Sequence, residues 1–144
     1  MGYQTVFKRN ESEYVEKRSR FIATLCHCET EEEANAFVKE MKSKYWDARH
    51  NCSAYTVGLN HELERCSDDG EPQGTAGLPV LEVLKRENLT DCAVVATRYF
   101  GGILLGTGGL TRAYAHTAKI AVDAGCPVKM SLCDICRPFY RNTS

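Results

Sequence analysis

Apolar and polar positions along the chain change period several times, and each change marks an element. Residues 14–28 read as extended, with the apolar run Phe21-Ile22-Ala23-Thr24-Leu25 preceded by the polar stretch Lys17-Arg18-Ser19-Arg20. Helical signals follow. Thr30 is placed to cap a helix, and Glu31, Glu32 and Glu33 fill a first turn where the dipole favours carboxylates. Glu33 also completes a capping-box spacing. Ala34, Phe37, Val38, Met41 and Tyr45 recur at i, i+3, i+4 and i+7, which predicts one apolar face ending near Trp46. Two strands are expected next, over 53–58 and 63–68, with a turn at Asn60-His61.

Residues 68–74 are dense in turn formers. Thr75 is the expected cap of a second helix running to about Asn88, with Pro79 tolerated in its first turn and Leu78, Leu81 and Leu84 on one face. The strongest strand lies at 91–100, and its nearly continuous apolar run predicts a central, well-covered position. A last helix is expected over 108–124. Leu110, Ala113, Tyr114, Thr117, Ala118, Ala121 and Val122 turn inward, and Arg112, His116 and Lys119 lie on another face. Gly125 and Pro127 stop it. The order of elements defines a mixed α/β domain, with the helices expected on one face of a sheet. Residues 128–144 have room for one more strand.

Lys and Arg total 18 against 19 for Asp and Glu, a net charge of −1, so a polyanion site has to be a local patch. No apolar run approaches the ~20 residues of a membrane span, and the N-terminus lacks a signal-peptide core, so a cytoplasmic protein is expected. The cysteines are Cys26, Cys28, Cys52, Cys66, Cys92, Cys126, Cys133 and Cys136, a count that without an export signal fits reduced thiols. Cys26-His27-Cys28 and Cys133-Asp134-Ile135-Cys136 together would supply four zinc ligands. Incidental thiols are the favoured reading, with Cys92 and Cys126 in the core. No metal and no cofactor are expected.

The most informative stretch runs from Arg98 to Tyr114. Gly101, Gly102, Gly106, Gly108 and Gly109 fall between a strand and a helix, where backbone N–H groups approach an anion and the helix dipole assists. Arg98 and Arg112 add forked donors on either side. The stretch is neither a Walker A loop nor the strict dinucleotide fingerprint. The competing reading is that the glycines serve tight turns and close packing. Asp68, Asp69 and Glu71 suit a hard cation, acid–base work or a solvated turn. Pairing of these acids, Asp68 and Asp69 above all, with Arg98 or Arg112 is favoured over metal binding. His50 and Cys52 share a strand face, which admits a thiol nucleophile, though a hydrogen-bonded structural His50 is the stronger reading. Tyr99, Phe100 and Tyr114 are candidates for base stacking or for packing.

Taken together, the segments around Arg49-His50-Asn51-Cys52, Ser67-Asp68-Asp69-Gly70-Glu71-Pro72-Gln73-Gly74 and Arg98 to Tyr114 resemble the N-terminal domain of the IMPACT/YigZ family. The resemblance implies a two-layer α/β (α+β) sandwich like a small-subunit ribosomal protein domain and domain IV of elongation factor G. It also implies a left-handed β-α-β crossover, where the general rule favours right-handed. The family is linked to control of translation. Its eukaryotic members carry a further domain that engages a translational-stress regulator. Its bacterial members usually carry a ferredoxin-like C-terminal domain thought to help bind nucleic acid. On that pattern residues 1–128 form the family domain, and 129–144 look like a tail at the start of a missing second domain.

The leading expectation is a translation-associated domain that binds RNA, the ribosome or another phosphate-rich surface. Its contact face is Arg98, the 101–109 loop, Arg112, His116 and Lys119, supported by His50, Asp68, Asp69 and Glu71. The alternative is an enzyme acting on a small phosphorylated or acidic substrate through Asp68, Asp69 and Glu71. A third reading is a protein-interaction module with an unknown partner.

Overall fold

A computed structural model of the chain describes residues 2–131. Ten elements follow in order: β1 (Gly2–Thr5), β2 (Asn10–Glu16), β3 (Ser19–His27), α1 (Glu31–Lys44), β4 (His50–Val57), β5 (Leu63–Ser67), α2 (Gly77–Arg86), β6 (Cys92–Tyr99), α3 (Gly106–Ala124) and β7 (Val128–Ser131). Among the described residues these make a five-stranded sheet of order β2-β3-β6-β4-β5 and a separate pair, β1 with β7. The mixed α/β class is as expected. Residues 132–144, which hold Cys133, Cys136 and most of the expected tail, lie outside the described residues.

The extended stretch at 14–28 belongs to two strands. They form a hairpin whose turn residues, Lys17 and Arg18, both have positive φ, 47° and 68°. That backbone matches the right-handed twist of the strands, but it is ordinarily built from Asn-Gly or Gly-Gly.

Strand β6 is central, as its apolar run predicts. It pairs antiparallel with β3 on one side and β4 on the other, and its residues alternate between two cores. Cys92, Val94 and Ala96 join Phe21, Ala23, Leu25, Cys52 and Ala54 under α2 and α3. Ala93 and Val95 join Tyr55 and Cys28 under Ala34, Phe37 and Met41 of α1. The expectation of helices on one face is therefore corrected. The sheet with α2 and α3 makes the two-layer body, and α1 covers the other side.

The topology also settles handedness. β3-α1-β4 and β5-α2-β6 each join parallel strands across one intervening strand, with their helices on opposite faces. The second runs antiparallel to the first and steps back the other way, so the two crossovers have opposite hands. One of them is left-handed, as the resemblance implies.

Local signals are realised at α1, where Thr30 Oγ1 accepts from the Glu33 N–H at 3.1 Å. Glu33 returns its carboxylate to the Glu29 N–H. They fail at α2. Thr75 does not cap it, because its hydroxyl donates to the Pro72 carbonyl; the N-cap is Ala76, whose N–H and that of Gly77 donate instead to Asp68 Oδ1. Leu78 is exposed rather than inward, and Val80, Leu81, Val83 and Leu84 form the buried face. Cys92 is core, but Cys126 is exposed.

Candidate functional site

The strand ends nearest the glycine-rich stretch hold a sealed polar cluster. Arg98 is the next-to-last residue of β6 and His50 begins β4, paired in register on the face that carries α2 and α3. The loop after β5 brings in Glu71, and α3 brings in Tyr114. Arg98 Nε and Nη2 donate to Glu71 Oε2 and Oε1 at 2.6 and 3.0 Å, a forked pair, while Nη1 reaches Ser19 Oγ at 3.2 Å. Tyr114 Oη donates to Glu71 Oε2. His50 Nδ1 donates to the Asp69 carbonyl at 2.8 Å, and its Nε2 lies 3.7 Å from Glu71. The Glu71 side chain is 1% exposed and that of Arg98 10%.

Burial alone raises the Glu71 carboxyl. The hydrogen bonds from Arg98 and Tyr114, with the Arg98 charge, outweigh it and hold the group below the usual carboxylate range. Burial pushes the Cys52 thiol up to about 12, and Sγ donates to the Asp68 carbonyl. A thiol so placed is not a nucleophile at neutral pH. His50 makes a hydrogen bond to the Asp69 carbonyl, the kind of contact expected of it.

These contacts correct two expectations. Arg98 is not part of an open contact face, because its guanidinium is buried against Glu71. Asp68 and Asp69 pair with neither arginine; Glu71 takes Arg98, and no carboxylate takes Arg112 among the described residues. Asp68 instead accepts from the N–H groups of Gly74, Ala76 and Gly77, and Asp69 accepts from the Asn51 N–H beside Lys42 at 3.6 Å. The enzyme alternative rested on these three carboxylates, and the protein's own donors engage all three. Among the described residues no group of three or more His, Cys, Asp or Glu side chains is placed to hold a metal.

The glycine stretch also divides differently from expectation. Helix α3 begins at Gly106, so Gly106, Gly108 and Gly109 lie in its first turns. Positive φ occurs at Gly102 and Gly106, not at Gly108 or Gly109. Close approach occurs at Gly101, where an added Cβ would stand 2.0 Å from the Arg18 carbonyl oxygen. That contact docks the β2–β3 turn onto the loop and is the packing role the competing reading assigned to these glycines.

The open part of the site is the polar side of α3. Arg112, His116 and Lys119 are exposed, one turn after another. Arg112 and His116 line two adjacent cavities. One, of about 330 Å³, also takes in Tyr14, Glu16, Lys17 and Gly109. The other, of about 320 Å³, takes in Arg86, Glu87 and Lys119. The His116 ring stands edge-on to Tyr14 at 4.5 Å. Lys119 is paired with Glu87 and Asp123 at 3.3 and 2.8 Å. Among the described residues Lys17, Arg86 and Arg112 have no ion-pair partner. The first turn of α3 has no side-chain cap and no acidic residue, so its N–H dipoles face out uncompensated. Of the aromatic candidates, Tyr114 is fully buried and Phe100 is 42% exposed. Sequence reasoning missed Lys17, Arg18 and Arg86. The polar break Lys17-Arg18-Ser19-Arg20 was the available signal for the turn.

No helix among the described residues is long and apolar enough to cross a membrane. A mixed α/β domain with a sealed arginine–glutamate strut beside an open cationic ridge is the class this geometry defines. The Impact N-terminal domain family matches residues 17–122, and the chain belongs to the IMPACT family. It is similar to IMPACT family member YvyE of Bacillus subtilis (strain 168), 54% identical over 118 residues that cover 82% of this chain and 54% of that one. A crystal structure described as that of a hypothetical protein aligns with TM-score 0.85 and 36% identity, covering 90% of this chain and 64% of that chain. The two-domain translational regulator Yih1 aligns with TM-score 0.53 and 24% identity, covering 81% and 46%, a likeness of fold. The chain spans about half the length of the curated bacterial relatives it matches.

Proposed function

We propose that this domain is a cytoplasmic, translation-associated module that binds RNA through the phosphate backbone, with the α3 ridge as its contact face. One observation carries the reading. Arg112 and His116 stand between two cavities whose rims add Lys17 and Glu16 on one side and Arg86, Lys119 and Glu87 on the other, a basic excess in a chain of net charge −1. A cationic strip on a nearly neutral protein is what local phosphate recognition needs, because bulk charge contributes nothing. The uncapped start of α3 adds N–H donors at one end of the strip. Family membership and the fold shared with a translational regulator support the association with translation. Arg98 and Glu71 hold the loop from which the strip is presented and do not touch RNA.

The test is fluorescence anisotropy with a single-stranded RNA over a salt series, beside co-sedimentation with ribosomes. Affinity falls as salt rises, and Arg112→Ala lowers the log–log slope by about 0.7, the share of a single phosphate. A wild-type domain that neither binds the RNA nor sediments with ribosomes at low salt overturns the reading.

A further inference from the structure

A second constellation lies on the other face of the sheet, away from the α3 ridge. Cys26, next to last in strand β3, and Cys28, just past its end, sit two residues apart, and both pack toward α1. Cys28 is buried with Ala34, Phe37 and Met41, while Cys26 packs at the edge of that cluster and is only partly covered. The two cysteines line a cavity of about 510 Å³ with Glu33, Phe37 and Glu40. Arg9 stands at its rim, 5.1 Å above the Phe37 ring and 2.6 Å from Glu40. One sulfur is thus reachable by a small solute, and the other waits behind it.

We propose that Cys26 and Cys28 form a peroxide-sensitive dithiol, in which Cys26 attacks the oxidant and Cys28 resolves the product to a disulfide. The Cys26 thiolate attacks one oxygen of hydrogen peroxide, the O–O bond breaks, and hydroxide leaves and is protonated to water. Cys26 is now a sulfenic acid. The Cys28 sulfur attacks it, the S–O bond breaks, and a second water leaves with the Cys28 proton. The two thiols lose two electrons in all, and one peroxide becomes two waters.

The other thiols among the described residues sharpen the assignment. A hydrogen bond from Cys28 brings the Cys26 thiol down to about 7 against the effect of burial, and the Arg9 charge assists. The same bond, with burial, pushes Cys28 up, which suits a thiol that reacts second. Burial pushes Cys92 and Cys52 up to about 12 and keeps them from oxidant. Cys66 and Cys126 are exposed and serve as internal controls. Disulfides need Cα atoms about 4.4–6.8 Å apart, at or below the span of two extended residues, so closure bends the chain after β3. The Cys28 N–H bond to the Asp91 carbonyl, 2.9 Å, lies at that bend.

The experiment is a peroxide titration of the intact chain, followed by alkylation, trypsin digestion and mass spectrometry. The peptide 21–39 is expected to lose two hydrogens and escape alkylation before Cys66 or Cys126 is modified, and dithiothreitol reverses the change. Without peroxide at pH 7, Cys26 alkylates at least about tenfold faster than Cys66. In Cys28→Ser, checked for folding by circular dichroism, dimedone labels Cys26. If peptide 21–39 is consumed no earlier than Cys66 and Cys126, the proposal fails whatever the variant does. A folded Cys28→Ser without a dimedone adduct also overturns it.

Discussion

Arg98 and Arg112 stand at either end of one glycine-rich stretch and meet opposite surroundings. Arg98 lies one residue from the end of strand β6 with its side chain 10% exposed, and its three nitrogens reach Glu71 and Ser19. Arg112, two turns into α3, is exposed, and no ion-pair partner reaches it among the described residues. Residue type and proximity in sequence made them look like one contact face. What separates them is Glu71: a buried carboxylate that takes the Arg98 fork holds that guanidinium inside the protein, away from an outside phosphate. The first arginine holds the stretch in shape, and the second is presented by it.

The largest effect is expected at the sealed end. Glu71→Ala leaves the Arg98 charge buried without its partner, and breaking a buried pair in this way costs about 3–5 kcal/mol. Urea unfolding measures it, and a cost near that of a surface substitution breaks the contrast between the two arginines. The pair also sets a pH dependence. Glu71 is held below the ordinary carboxylate range, so its contribution is complete above the unfolded value of about 4.3 and is lost as pH falls through the folded value. Wild-type urea midpoints should therefore fall on the acid side. Glu71→Gln should show a shallower acid slope, and an unchanged slope would remove Glu71 as its source.

Much of the fold could be read from local pattern. The period of α1, the Thr30 cap and the unbroken apolar run of β6 are short-range signals, and each was realised. The placement of α1 was not legible, because amphipathicity gives a helix one apolar face without saying which side of a sheet it meets. In the polar cluster an acid does pair with Arg98, but it is Glu71 rather than Asp68 or Asp69. Three acids stand within four positions, and nothing in their spacing tells which one faces inward. A reversal at Asp69, φ 41°, and Gly70, φ 89°, turns Glu71 into the core while Asp68 gathers three backbone N–H groups. Lys17 and Arg18 were missed for a related reason. A two-residue turn without Asn or Gly lacks the usual turn residues, and the polar break alone did not divide β2 from β3.

That turn is held against the loop by Gly101, which gives the next effect in size. In Gly101→Ala the added methyl carbon meets the Arg18 backbone at 2.0 Å, and backbone cannot rotate aside. Overpacking of this kind costs about 1–3 kcal/mol. Gly108→Ala is the matched control. Its methyl group meets only the mobile end of Arg112 at 3.3 Å, and replacing a helical glycine gains about 0.5–1 kcal/mol. Thermal melts of the two variants should move in opposite directions. A Gly108→Ala loss as large as that of Gly101→Ala would return the close-approach role to the start of the helix.

The turn itself tests whether strain and function coincide. Lys17 and Arg18 occupy a backbone region that costs non-glycine residues about 1 kcal/mol or more each. Replacing them together, Lys17→Asn with Arg18→Gly, supplies the residues this turn prefers and should raise stability by about 1 kcal/mol. If the ridge binds RNA as proposed, the double variant also removes positive charge from it, so RNA affinity should fall while the melting temperature rises. Opposite movement of the two measurements sharpens the comparison. Unchanged affinity would confine the contact face to α3.

The smallest effect on stability is expected at Arg112, and it is the most discriminating. The side chain is exposed and unpaired, so Arg112→Ala should change unfolding free energy by no more than about 0.5 kcal/mol. Its consequence belongs to binding alone: a weaker complex with single-stranded RNA and a shallower salt dependence, with the melting temperature held. Arg98→Ala should do the reverse, lowering the melting temperature first and affecting binding only as far as the fold is disrupted. Measured side by side at one salt concentration and below both melting transitions, the two variants separate an arginine that builds the site from one that contacts the ligand. Equal losses of affinity in both, with Arg98→Ala still fully folded, would show the buried arginine acting on RNA and would undo the division on which the proposed contact face rests.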